Sequence, residues 1–163
     1  LKRDARLIKP YLEALSAILV IQCLDPHEAG VGKSQYVVCD SGLAAYLGAD
    51  RETQLRIHVL IEALAKFEYA GFGRPLIKTY RNEKSSRIPI ILEWPHRHAV
   101  ENVAIAFCDS ELVPSYEYER MWAFAKRATG KSHRLLLLTQ TREAYTEKSK
   151  KHSQPIEVFS LRG

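Results

Sequence analysis

The sequence has no apolar run approaching the roughly 20 residues that a membrane-crossing helix needs. It also lacks internal repeats and low-complexity tracts. A transmembrane helix and a solenoid are therefore excluded, and the chain is expected to be soluble with no membrane partner. Cysteine is scarce. Cys23, Cys39 and Cys108 are odd in number and sit in apolar, strand-like runs, so a disulfide framework is not expected and a reducing, cytoplasmic setting fits. The chain begins at Leu1 and its one methionine is Met121, from which it is expected to be a piece of a longer protein. A complete phosphate-binding loop is missing too. Gly32-Lys33-Ser34 has His27 where the motif needs its first glycine, and Gly130-Lys131-Ser132 has Ala125 there, so neither cradles a phosphate. His96-Arg97-His98 beside Trp94 offers two imidazoles without a third or fourth ligand at zinc-site spacing, and reads as a turn with exposed histidines. Nothing singles out a base among the six histidines for a Ser-His-Asp or Cys-His set. No cofactor and no metal are expected in this piece.

What is present is material for one ordinary domain. The chain has 163 residues, 46% of them apolar, enough for a core that folds without staples. The formal net charge of +5 is uneven: residues 1–119 carry 14 Lys/Arg against 16 Asp/Glu, and residues 120–163 carry 10 against 3. A basic C-terminal third permits a polyanionic partner, although Lys148, Lys150 and Lys151 fall in a polar stretch where solvation alone accounts for them.

Apolar spacing gives the order of elements. Leu12, Leu15, Ile18 and Leu19 recur at helical intervals, with Pro10 expected in the first turn of a short helix. Val20 to Leu24 reads as a strand and Asp25 to Ser34 as a loop. Tyr36 to Cys39 is a strand, followed by a short helix that Asp40 or Ser41 could cap. From about Arg51 to Ala70 the pattern is strongly helical, with Glu52 or Thr53 as the start and Gly71 and Gly73 as the stop. Three strands follow, centred on Lys78–Arg81, Ile88–Leu92 and Val103–Cys108, separated by Asn, Ser and Pro punctuation. A helix from Tyr116 to Ala128 comes next. Leu135 to Leu138 is an apolar run that reads as a strand buried on both faces, Thr139 to Gln154 reads as a polar loop, and Ile156 to Leu161 as a closing strand. The expected class is α/β, a mixed sheet flanked by helices. Residues 1–34 are expected to form a helix-strand-loop linker and residues 35–163 the α/β domain proper.

Some of these residues resemble a known family. Tyr36-Val37-Val38-Cys39-Asp40-Ser41-Gly42-Leu43-Ala44 is similar to the strand-Asp-Thr-Gly-Leu-Ala stretch in the uncharacterised C-terminal domain of many prokaryotic AAA-type ATPases. Leu7 to Leu24 resembles the winged-helix-like remnant that links the two parts, and His58 to Ala63 is similar to the family's helix with a fixed glutamate. The resemblance implies a restriction-endonuclease-like core of order α-β-β-β-α-β, of the PD-(D/E)XK nuclease type. In such nucleases a helix glutamate, a strand aspartate and a Glu-x-Lys on the next strand bind Mg²⁺ and activate water, because Mg²⁺ needs hard oxygen ligands.

Carried over residue by residue, the helix acid is Glu62, the aspartate position is Pro89, and the Glu-x-Lys positions are Ala106 and Cys108. Three of the four groups can neither ligate Mg²⁺ nor carry the lysine's charge. Pro89 lacks an N–H for a central ladder, so an edge or a bulge is expected there. The resemblance thus implies a non-catalytic, nuclease-like module, not an enzyme itself, joined to the ATPase domain of the same parent chain. Its contact with DNA, RNA or an acidic partner is expected at Arg120, Lys126, Arg127, Lys131 and Arg134. One alternative is a nuclease whose acids have migrated to Glu93, Glu101 and Asp109. The other is a structural docking or oligomerisation module, which predicts an exposed apolar patch at Tyr11, Leu15 and Ile18.

Overall fold

The computed structural model describes residues 5–83, 86–95, 102–128 and 132–161. In chain order the elements are α1 (Ala5–Ala17), β1 (Ile21–Pro26), β2 (Gln35–Val38), α2 (Ser41–Tyr46), α3 (Arg51–Tyr69), β3 (Leu76–Arg81), β4 (Arg87–Glu93), β5 (Asn102–Cys108), α4 (Ser115–Arg127), β6 (His133–Thr139), β7 (Tyr145–Ser149) and β8 (His152–Ser160). Among the described residues no helix is long and apolar enough to cross a membrane.

The strands make one eight-stranded mixed sheet in the order β2-β1-β3-β4-β5-β6-β8-β7. β4 runs antiparallel to β3 and β5, whereas β5, β6 and β8 are mutually parallel. α3 covers one face through Val59, Leu60, Ala63, Leu64 and Phe67, packed on Ile77, Ile90, Leu92 and Val103. α4 covers the other through Met121, Trp122 and Phe124, packed on Ile91, Ala104, Leu135 and Leu137. β4 and β5 are buried on both sides because they lie between these two layers, which is why their sequences are nearly continuous apolar runs.

Local chemistry explains most boundaries. Asp50 caps α3 by accepting the Thr53 N–H at 2.7 Å, so the helix starts ahead of the Glu52 or Thr53 expected from pattern; the cap is set by an acceptor rather than by the apolar stripe. Asp40 caps α2 in the same way, at 2.6 Å from Leu43 N. α1 begins at Ala5 and holds Pro10 in its interior, not in its first turn. The proline removes one helical bond, and at this exposed surface water can take the freed carbonyl.

Pro89 does sit at a bulge. Lys78 pairs with Ile91 and Tyr80 with Ile88, so Pro89 and Ile90 together stand opposite Thr79. The missing N–H therefore falls where the ladder is already interrupted.

Three expectations from sequence need correcting. The stretch Thr139 to Gln154 is not simply a loop: it holds β7 and the start of β8. β7 is an edge strand, and edges that carry charge, as at Glu147 and Lys148, lose the apolar signature of a strand. Leu136 and Leu138 are half-buried while Leu135 and Leu137 are fully buried, so β6 alternates instead of being enclosed equally on both faces. Finally, residues 1–34 are not set apart from the sheet. β1 pairs with β2 on one side and with β3 on the other, so a boundary at residue 34 would separate two hydrogen-bonded strands.

Candidate functional site

Two places gather chemistry, at opposite ends of the sheet. The first lies where the start of β4 meets the first turns of α3 and α4. A cavity of about 440 Å³ is lined by Glu52 and Arg56 of α3, Ser86, Arg87 and Pro89 at the head of β4, Phe107 of β5, and Tyr116 and Arg120 of α4. Arg120 is held by two contacts: its Nη2 donates to the Phe107 carbonyl at 2.8 Å, and it pairs with Glu117 one turn back along α4. Burial pushes the Glu117 carboxyl above its usual range, although Arg120 pulls the other way. Arg56 and Arg87 make no ion pair among the described residues. Three guanidinium groups and one carboxylate, Glu52, therefore share one concave surface.

The nuclease positions taken from the resemblance do not come together. Glu62 is exposed on α3. Ala106 and Cys108 point into the core beneath α4, on the other side of the sheet, because alternate strand residues face opposite sides. Only Pro89 borders the arginine cavity, and the helix acid beside it is Glu52, about three turns before Glu62. The migrated acids fare no better as a set. Glu93 lies level with Asn102, one step beyond the Leu92–Val103 pair, whereas Asp109 follows the opposite end of β5, seven residues from Asn102 and roughly 23 Å away at the rise of a strand. Glu101 lies outside the described residues.

The basic residues named from sequence also disperse. Arg120 lines the cavity, Lys126 is exposed at the far end of α4, and Arg127 reaches the Tyr80 hydroxyl at 3.5 Å. Arg134 makes a two-pronged pair with Glu157 across β6 and β8, each contact 2.5 Å. Those hydrogen bonds hold the Glu157 carboxyl below its ordinary range despite partial burial. Lys131 lies outside the described residues, as do His96, Arg97, His98 and Gly130.

The second place is buried. Glu93, at the end of β4, has its Oε1 at 3.0 Å from His27 Nε2 and 3.5 Å from His133 Nε2. Its Oε2 lies 2.7 Å from Lys78 Nζ, and Lys78 also reaches Glu28 at 2.6 Å. His27, Glu93 and His133 are each at most 2% exposed. The topology brings them together: β4 ends where β6 begins, and the turn after β1 is fastened to β3 by the His27 N–H on the Thr79 carbonyl at 2.9 Å. The Phe124 ring stands edge-on to both imidazoles, at 5.2 and 5.0 Å.

Sequence reasoning singled out neither His27 nor His133, and considered Glu93 only as a displaced nuclease acid. The usable signal is a polar residue at each strand terminus beside an apolar run, but only the register of three distant segments converts that into a cluster. Comparison with known proteins finds no matching family model, no matching curated protein and no matching solved structure.

Proposed function

We propose that this chain is a non-catalytic, nuclease-like module that holds nucleic-acid phosphates and forms the C-terminal part of a prokaryotic AAA-type ATPase. The order α3-β3-β4-β5-α4-β6, with β4 antiparallel to its neighbours and β6 parallel to β5, agrees with a restriction-endonuclease-like core and supports the fold half of this reading. The Asp40-Ser41-Gly42-Leu43 stretch supports the parentage.

The observation that carries the function half is the cavity lined by Arg56, Arg87 and Arg120, two of which make no ion pair among the described residues. A guanidinium presents paired donors in a plane that matches phosphodiester oxygens. Metal-assisted hydrolysis needs several hard oxygen ligands, and this surface supplies the single carboxylate of Glu52.

The test is fluorescence anisotropy with DNA and RNA at two salt concentrations, with and without Mg²⁺, following the same samples for cleavage. The expected result is binding without cleavage that weakens steeply with salt, with a log–log slope of about −0.9 for each duplex phosphate contacted. Mg²⁺-dependent cleavage that disappears in Glu52→Gln would replace this reading with an active nuclease.

A second reading rests on α1. Tyr11 is 72% and Ile18 69% exposed, and Leu15 is exposed beside them, an apolar face of the kind that docks on another part of a longer chain. Absence of nucleic-acid binding at low salt would leave this docking role in place of the first.

A further inference from the structure

We propose that His27, Glu93 and His133 form a structural binding site for a divalent cation of the zinc class. Their donor atoms all lie within 4.8 Å of one another. Four ligands at about 2.0–2.1 Å around zinc place neighbouring donors about 3.3 Å apart. The two measured separations from Glu93 Oε1, 3.0 and 3.5 Å, bracket that edge. Two imidazoles and one carboxylate suit a borderline metal better than Mg²⁺ or Ca²⁺, which require more oxygens.

An independent observation points the same way. Nε2 of His27 and both ring nitrogens of His133 make no hydrogen bond among the described residues, although two of them approach Glu93 closely. The approach is near in distance but off the line along which an N–H must point. More than nine in ten buried polar groups find a partner, and a group that does not is commonly the mark of an ion or a water. One ion takes one nitrogen from each ring and so accounts for His27 Nε2 and one of the two nitrogens of His133.

The surroundings fit a closed site. Lys78 holds Oε2 of Glu93 and fixes the carboxylate with Oε1 toward the two imidazoles, as an outer-shell partner does. Phe124 walls off both imidazoles, and burial of all three ligands keeps a substrate away. The site is therefore a tie between the turn after β1, the end of β4 and the start of β6. One bond must yield. The Ala29 N–H donates to His27 Nδ1 at 3.0 Å, which puts the ring's proton on Nε2; ligation moves that proton to Nδ1 and releases Ala29.

The experiment strips the whole chain with a chelator and titrates it with Zn²⁺ or Co²⁺. The expected result is a single Co²⁺ per chain with the visible bands of a tetrahedral nitrogen and oxygen site. A rise in melting temperature with Zn²⁺ and a shift of the Ala29 amide signal in NMR accompany it. His27→Asn and His133→Asn each abolish the bands, while Cys23→Ser and Cys39→Ser leave them unchanged. Lys78→Met, which removes the partner that orients the carboxylate, binds Co²⁺ about 10–100-fold more weakly than the parent. Absence of bound Co²⁺ in the parent chain, or bands that survive both histidine replacements, overturns the proposal and assigns the cluster to buried water.

Discussion

Lys78 on β3 and Glu93 on β4 meet at 2.7 Å with the carboxylate fully buried and the ammonium largely so. Burial alone would lower the Lys78 pKa, but hydrogen bonds to Glu28 and Glu93 outweigh it and leave the value above the ordinary 10.5. A raised folded-state pKa means that the pair's stabilisation is fully present below the unfolded value and is lost as pH climbs through the folded one. Stability measured by urea unfolding is therefore expected to fall above about pH 10.5. At neutral pH Lys78→Met, which leaves the acid buried without its cation, costs about 3 kcal/mol. An unchanged unfolding midpoint in that variant would show that the pair contributes nothing.

Gly30 is required by close approach. A Cβ there would meet the Arg81 carbonyl at 2.8 Å and the Tyr80 ring at 3.0 Å, and the backbone carbonyl cannot swing aside. Gly30→Ala is expected to destabilise by about 2 kcal/mol, in the range for overpacked sites, read as a lower melting temperature. Glu62→Gln, at an exposed position, changes stability by less than about 0.5 kcal/mol and serves as the control.

Arg56 and Arg87 provide the cleanest test of the polyanion reading, because neither is tied into an ion pair among the described residues. Replacing each with alanine is expected to weaken DNA binding and to reduce the log–log salt slope by about 0.9 per lost contact, with little change in sequence preference. Arg134→Ala, whose guanidinium is occupied by Glu157, leaves the slope unchanged.

Glu117 gives a pH dependence of the same sign in a more acidic window. Burial raises its folded-state pKa against the pull of Arg120, so the folded state holds a proton that the unfolded chain has released. Stability consequently falls as pH rises from the ordinary carboxyl value, 4.5, through the raised one. Glu117→Gln is expected to remove that slope. Matched urea midpoints at several values between pH 4 and pH 7 decide it, and an unaltered slope in the variant sinks the assignment.

The sheet and its two covering helices were legible because their signals are local. Leu55 to Phe67 announces one helix, and Ile88 to Leu92 announces a strand whose proline could be placed at a bulge. β7 was not legible, since a charged edge strand such as Tyr145–Ser149 has the composition of a loop. The sites were less legible still. Glu62 and the Ala106–Cys108 pair were aligned by sequence likeness, yet the pleat sends Ala106 and Cys108 to the face away from α3, and the helix period turns Glu62 to solvent. His27, Glu93 and His133 are far apart in sequence and meet only through the parallel β1–β3 and β5–β6 pairings, which no short-range pattern encodes.

The turn after β1 has a dynamic consequence. His27 and Val31 donate their amides to Thr79 and Arg81 on β3, at 2.9 and 2.8 Å, and Gly30 closes back on His27. The β1–β2 ribbon thus cannot peel from the sheet without drawing His27 out of the interior and away from Glu93. Opening of the ribbon is coupled to exposure of a charged cluster, so the two form one cooperative unit. The amides of His27 and Val31 should exchange with solvent at the slow rate of the central strands, although they belong to a turn.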